Sequence, residues 1–283
     1  MGRIGIIGGS GLYQIEGLKN TKWVKVVTPF GKPSDEYLTG SIDGREIVFL
    51  PRHGRGHKIL PTELNYCANI YGMKKLGVDR IISISAVGSL RETIKPLDIV
   101  IPDQFVDRTN MARRSTFFGE GVVAHISFAD PVCPDLINLV CDIGRGLGAN
   151  VHFGGTYLNM EGPAFSTKAE SNLYRQWGMS IIGMTNMPEA KLAREAEICY
   201  VTIAFVTDYD CWYKTVVDIN EVIKNLTKNV DMAKKIIRAS VSKIPEKRNC
   251  ICATGLKDAI VTNKKFIPKA TKEKLKIIIG KYI

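Results

Sequence analysis

The chain alternates short apolar runs with amphipathic stretches, and most runs end in glycine, proline or a small polar residue. Residues 3–8 (RIGIIG) are isoleucine-rich and lead into glycines, the pattern of a buried strand entering a tight turn. Residues 47–50 (IVFL) predict a second strand, stopped by Pro51. Over 62–76, Leu64, Cys67, Ala68, Tyr71 and Leu76 fall roughly on a helical stripe that Gly77 closes. Strands are predicted next at Arg80–Ala86 and Asp98–Pro102, and residues 107–131 read as loop. Pro134 opens a helix to about Gly146, followed by a strand over Val151–Leu158. A helix over 166–177, capped by Ser166 or Thr167, a strand over 180–184 and a helix over 188–198 precede a strand at Cys199–Val206. Asp218 caps a long helix to about Ser242, and 271–282 predicts a terminal helix. This alternation, without internal repeat or linker, predicts an α/β fold: one domain over 1–283, with a central, mostly mixed β-sheet flanked by helices.

Composition narrows the class. The chain is 45% hydrophobic over 283 residues, enough for a large core. No apolar window reaches the roughly 18 residues of a spanning helix, so no membrane partner is expected. The N-terminal apolar run is short and enters a glycine turn, unlike a cleaved signal, which predicts a soluble cytoplasmic protein. Net charge is +11, and residues 247–283, with ten Lys/Arg and two acids, carry +8 of it. Aromatics are not interleaved with those lysines as a stacking platform requires. The expectation is a solvated basic C-terminal segment and no nucleic-acid partner. Heavy Lys and Ile use with three Gln fits a thermophile. Of seven cysteines, Cys250 and Cys252 stand apart in a polar, basic stretch. Their spacing is too close for a zinc finger, and His53, His57, His125 and His152 lack ligand spacing, so no metal is expected. A disulfide is open to the cysteines, with connectivity unread.

Polar clusters fall at predicted strand ends, where open α/β sheets bind ligands. Gly8-Gly9-Ser10-Gly11 can bring backbone N–H groups and a hydroxyl to a phosphate, although an acidic residue about 20 positions on, as a dinucleotide site needs, is missing. A plain tight turn is an equal reading of it. Arg52-His53 follows a strand: arginine offers a planar fork to phosphate oxygens, and His53 can donate to the same anion. Ser85-Ala86-Val87-Gly88 exposes amides to an anion or packs as a buried turn. In 159–166, Phe165 can stack on a purine and Ser166 can bond its edge, while Glu161 reads equally as an ion-pair partner. Asp208 and Asp210, at i and i+2 at a strand end, point the same way. One suits N7 and the other a 6-amino group, since carboxylates accept hydrogen bonds and like charges raise one pKa. Each singly could instead cap a helix.

Together these clusters resemble the trimeric purine-nucleoside phosphorylase family, in its methylthioadenosine branch. The match runs through GIIGGSGL (5–12), TPFGKPSD (28–35), PRHGRGH (51–57), ISAVGSLRE (84–92), DQFVDRT (103–109), NMEGPAFST (159–167), GMTNMPE (183–189) and TDYDCW (207–212), and fades beyond about 245. The resemblance implies phosphorolysis of 5'-methylthioadenosine to adenine and 5-methylthioribose 1-phosphate. A broader adenosine or inosine phosphorylase is the alternative. It implies no cofactor, with inorganic phosphate as co-substrate. Ser10, Arg52, His53, Ser85, Ala86 and Thr185 would form the phosphate cradle, and Phe165, Ser166 and Met184 would contact the nucleoside. Asp208 would act at N7 and Asp210 at the amino group. Ile219, Val222 and Ile223 would face the 5' substituent, and His125 would be lent to a neighbouring subunit in a homotrimer or a hexamer of two trimers.

Overall fold

The computed structural model describes residues 2–9, 11–110, 113–213 and 219–283, with backbone alone at 219–221. The strands are β1 (Arg3–Gly8), β2 (Lys19–Val24), β3 (Tyr37–Ile42), β4 (Arg45–Pro51), β5 (Val78–Ser89), β6 (Ile99–Ile101), β7 (Gln104–Arg108), β8 (Val151–Phe153), β9 (Thr156–Met160), β10 (Ile181–Gly183) and β11 (Cys199–Asp208). The helices are α1 (Tyr66–Lys75), α2 (Pro134–Gly146), α3 (Lys168–Gln176), α4 (Asn186–Glu195), α5 (Ile219–Lys243), α6 (Lys269–Lys274) and α7 (Lys276–Ile279).

All eleven strands share one mixed sheet, in the order β2-β3-β4-β1-β5-β10-β9-β7, with β11 on β5 and β6, and β8 on β6. At its centre β4, β1, β5 and β11 run parallel. Their carboxyl ends therefore share one edge, with Gly8 opposite Pro51, and Asp208 opposite Gly88. β11 is buried along nearly its whole length, which is why it reads as a near-continuous apolar run interrupted only by Thr202 before its polar end. One core cluster joins β1, β4 and β11 to α2 and α5, and a second lies under α1, α4 and the C-terminal helices.

Departures from the sequence reading have local causes. β2 and β3 were not predicted; β2 is the sheet edge, largely exposed and lysine-bearing, so it carries no apolar alternation. Gln104–Arg108 pairs as β7 within a stretch that overlaps the predicted loop. The predicted strand 151–158 is two strands, broken at Gly154 and Gly155, both at positive φ. Asn65 caps α1 by accepting from Ala68 N, so that helix starts later than its stripe suggested. Asp218, the predicted cap of α5, lies outside the described residues. The basic C-terminal segment is not simply solvated. Leu256, Ile267, Leu275, Ile278 and Ile279 are buried in the second core cluster, and Lys274 pairs with Glu120 at 2.6 Å. Lysines alternate there with apolar residues that pack, and the charge count hid the packing.

Candidate active site

The strand ends gather two polar groups on one edge of the sheet. On the first side, Arg52 follows β4, its backbone N–H donating to Gly8 O at 2.9 Å. Its side chain is buried and forked onto Glu189 of α4, with Nε and Nη2 at 2.9 and 3.0 Å from the two carboxylate oxygens. Nη2 also donates to Ser83 Oγ and Nη1 to Ile84 O. Four of the five guanidinium donors are thus used inside the protein. Burial alone would lower the Arg52 pKa, but Glu189 more than offsets it and the cation is held. The sequence reading offered the fork to phosphate; in the fold these bonds leave a single Nη1 donor over. Glu189 also accepts from Ser83 and Tyr200.

His53 lies beside Arg52, its Nδ1 2.8 Å from Ile59 O, and its ring stacks on His57 at 4.4 Å. Because a carbonyl only accepts, Nδ1 carries the proton and Nε2 of the neutral ring is an acceptor. Burial, reinforced by the Arg52 charge, pushes the His53 pKa down to about 4. The neutral ring therefore offers an acceptor at Nε2 where the sequence reading expected a donor. Ser85 and Thr185 both bear on Tyr157, whose buried hydroxyl lies 3.0 Å from Ser85 Oγ and whose pKa, raised by burial, is drawn back in part by the polar groups of Ser85 and Thr185. Thr185 precedes α4 without bonding its first turn, and Ala86 is exposed beside Ser85. Ser10 lies outside the described residues.

On the other side is the aspartate pair. β11 ends at Asp208, and Asp210 adopts positive φ, so the two carboxylates are not aligned by a continuing strand as the i, i+2 argument supposed. A turn joins them instead: Asp210 N donates to Asp208 Oδ1 at 2.8 Å. Asp208 also accepts from Thr207 Oγ1, and Asp210 from Ser171 Oγ at 2.5 Å. Asp210 is buried and Asp208 half-exposed. Burial, with a contribution from the Asp208 charge, raises the Asp210 pKa despite the Ser171 bond. Gly88 makes room for the pair: a Cβ there would sit 3.1 Å from Asp208 Oδ1 and 3.3 Å from Asp210 Cβ.

The 159–166 loop meets this turn, with Cys211 Sγ 3.1 Å from Ser166 O. Ser166 is buried, whereas Phe165 is 61% exposed. Arg113, absent from the sequence reading, ties the loop to the strand behind it: Nε pairs with Glu161 at 2.8 Å, and Nη1 donates to Met184 O at 2.6 Å. Glu161 is accordingly an ion-pair partner. Val222 is half-exposed and Ile223 exposed on α5, and the Ile219 side chain lies outside the described residues. His125 is exposed on the loop that binds Ala259 O. Sequence reasoning also missed Glu189 and Ser171. Glu189 lay inside a quoted motif, and a buried arginine after a strand calls for such an acceptor.

A third group joins Cys250 and Cys252, singled out in the sequence, to two cysteines that were not. Cys133, Cys199, Cys250 and Cys252 bring their sulfurs within 4.8 Å of one another, as free thiols. The spacing argument against a metal saw only the Cys250/Cys252 pair.

Residues 3–242 match the model of a family described as the phosphorylase superfamily. The chain is 63% identical, over 99% of its length and 99% of the relative's, to the S-methyl-5'-thioadenosine phosphorylase of Geobacter sulfurreducens. Among solved structures, the methylthioadenosine phosphorylase from an antarctic soil metagenomic library has a TM-score of 0.93 at 49% identity, covering 98% of both chains. That of Schistosoma mansoni in complex with adenine has a TM-score of 0.81 at 32% identity, covering 99% of this chain and 98% of its own. The family model stops at 242, but the bacterial relative extends through the basic C-terminal segment.

Proposed function

Because the chain belongs to the phosphorylase superfamily, we propose that it cleaves 5'-methylthioadenosine with inorganic phosphate, releasing adenine and 5-methylthioribose 1-phosphate. The observation that carries this reading is the joined aspartate pair on the same strand edge as the Arg52–His53 turn, one group suited to a purine edge and the other to an anion. Phosphate sits against the remaining Nη1 donor of Arg52, the Ser85-Ala86 turn, Ser10 and Thr185, and its P–OH donates to His53 Nε2. A phosphate oxygen bonds to C1' as the C1'–N9 bond breaks, and the electron pair moves into the purine. A proton held by the aspartate pair neutralises that charge at N7. Asp208, the more open of the two, delivers it, and Asp210 accepts from the 6-amino group. Phe165, Ser166 and Met184 hold the nucleoside. Position and fixed dipoles supply the acceleration, with no cofactor and no covalent intermediate.

The exposed Phe165 and Ile223 leave the apolar side of this site open in the single chain, which supports a homotrimer or hexamer of the cytoplasm in which His125 of a neighbour completes it. Adenine release from methylthioadenosine and adenosine, with and without phosphate, tests the function. Phosphate-dependent release, faster from methylthioadenosine, is expected; release without phosphate would make the protein a hydrolase. Light scattering should give a mass three or six times that of the chain.

A further inference from the structure

The four-cysteine group lies at the opposite end of β11 from the aspartates. Cys199 begins that strand and Asp208 ends it, a separation of about 30 Å along an extended chain. Cys133 immediately precedes α2 and makes no side-chain cap bond. Its backbone N–H donates to Tyr200 O at 2.9 Å, so the start of α2 is fixed beside the start of β11. Cys250 and Cys252 flank Ile251 at the beginning of a short 3₁₀ turn; Ile251 is 61% exposed and Cys252 is buried. Three of the four thiols are buried and Cys250 is half-buried. The Cys199 and Cys250 sulfurs are 3.3 Å apart.

We propose that Cys133, Cys199, Cys250 and Cys252 form a tetrahedral tetrathiolate site for one Zn²⁺ ion that fastens the C-terminal segment to the body of the fold. Four sulfurs around an ion with bonds of about 2.3 Å stand about 3.8 Å apart, and the group is already gathered to nearly that spread. Soft ligands in tetrahedral array select zinc or iron over hard cations, and the spread suits one ion. Each thiol gives up its proton on binding, and Cys133 at the amino end of a 13-residue helix is placed where a thiolate is favoured. Four protein ligands close the coordination sphere, so the ion binds no substrate. Two ligands come from the body and two from the segment that contributes Leu256, Ile267, Leu275, Ile278 and Ile279 to the core. The ion therefore adds a crosslink to a junction otherwise held by packing, ion pairs and hydrogen bonds such as those of His125 N to Ala259 O and Leu256 N to Glu197.

The test is the metal content of the full-length protein, purified reduced and without chelator, by elemental mass spectrometry. One zinc per chain is expected, released when a mercurial reagent titrates the thiols. Refolding with Co²⁺ should give the intense visible and near-ultraviolet bands of tetrahedral thiolate coordination. Cys250→Ser should lose zinc and lower Tm by roughly 10 °C, with kcat and KM within about twofold of the parent. Cys67→Ser, outside the group, should keep its zinc. Should Cys250→Ser fail to fold, the parent's zinc content and cobalt spectrum decide the matter alone. A parent without zinc that also takes up none from added Zn²⁺ when reduced would overturn the site. So would a mass 4 Da below the reduced chain, marking two disulfides, or iron in place of zinc.

Discussion

The two ends of β11 carry different groups on one mostly apolar strand. At the carboxyl end the chain turns out of the strand, with the Asp210 backbone N–H donating to the Asp208 carboxylate, and Asp210 is buried and raised in pKa, by burial first and by the Asp208 charge in smaller part. At the amino end four thiols meet between α2, β11 and the C-terminal segment. Like charges forced together raise the energy of the resting protein and are tolerated where they can act on a substrate. Thiols gathered around an ion would lower it. On the two proposals above, the strand separates a reacting site from a site that fastens the fold.

The comparison is broken first at Glu189. Removing it by Glu189→Ala leaves the buried Arg52 guanidinium unpaired, and should cost about 3–5 kcal/mol of unfolding free energy, measured by urea denaturation. It should also raise KM for phosphate. A loss below about 1 kcal/mol would mean that Arg52 is stabilised by something other than this pair. Next, Asp208→Asn should lower kcat by about 10²–10⁴-fold, as expected for losing a general acid, with little change in Tm. An equal loss of stability would show that the catalytic end also holds the fold. Smaller is Gly88→Ala, whose methyl would press on both aspartates; we expect about 1–3 kcal/mol of destabilisation and a fall in kcat.

The mildest test is pH. His53 is held near 4 when folded and titrates near 6.5 when unfolded, so between those values the unfolded chain binds more protons. The contribution of His53 is full above about pH 6.5 and is lost as pH falls toward 4. Unfolding free energy followed over that range should lose part of its slope in His53→Gln. An unchanged slope would place the titration elsewhere.

Much of the carboxyl edge of the sheet was legible before any fold was known. Asp208, Arg52, His53 and Ser85 each follow an apolar run closely, and the parallel strands that put such ends on one edge follow from the alternation of strands and helices. Glu189 and Ser171 were not legible in role, because each acts through a partner more than 35 residues away in the chain. Edge strand β2 left no pattern because one polar, exposed strand needs none.

The sequence by itself determined the α/β class, the succession of central strands and which residue types stand at their ends, because burial forces apolar runs and turns force glycine and small polar residues. Tertiary structure alone decided what those residues do to one another. It turned the fork of Arg52 onto Glu189, made His53 an acceptor, replaced strand alignment of the aspartates by a turn, and collected cysteines from three parts of the chain into one group. Hydrogen bonds and metal-ligand distances act over a few ångströms, and which groups come that close depends on packing between segments that no local pattern records.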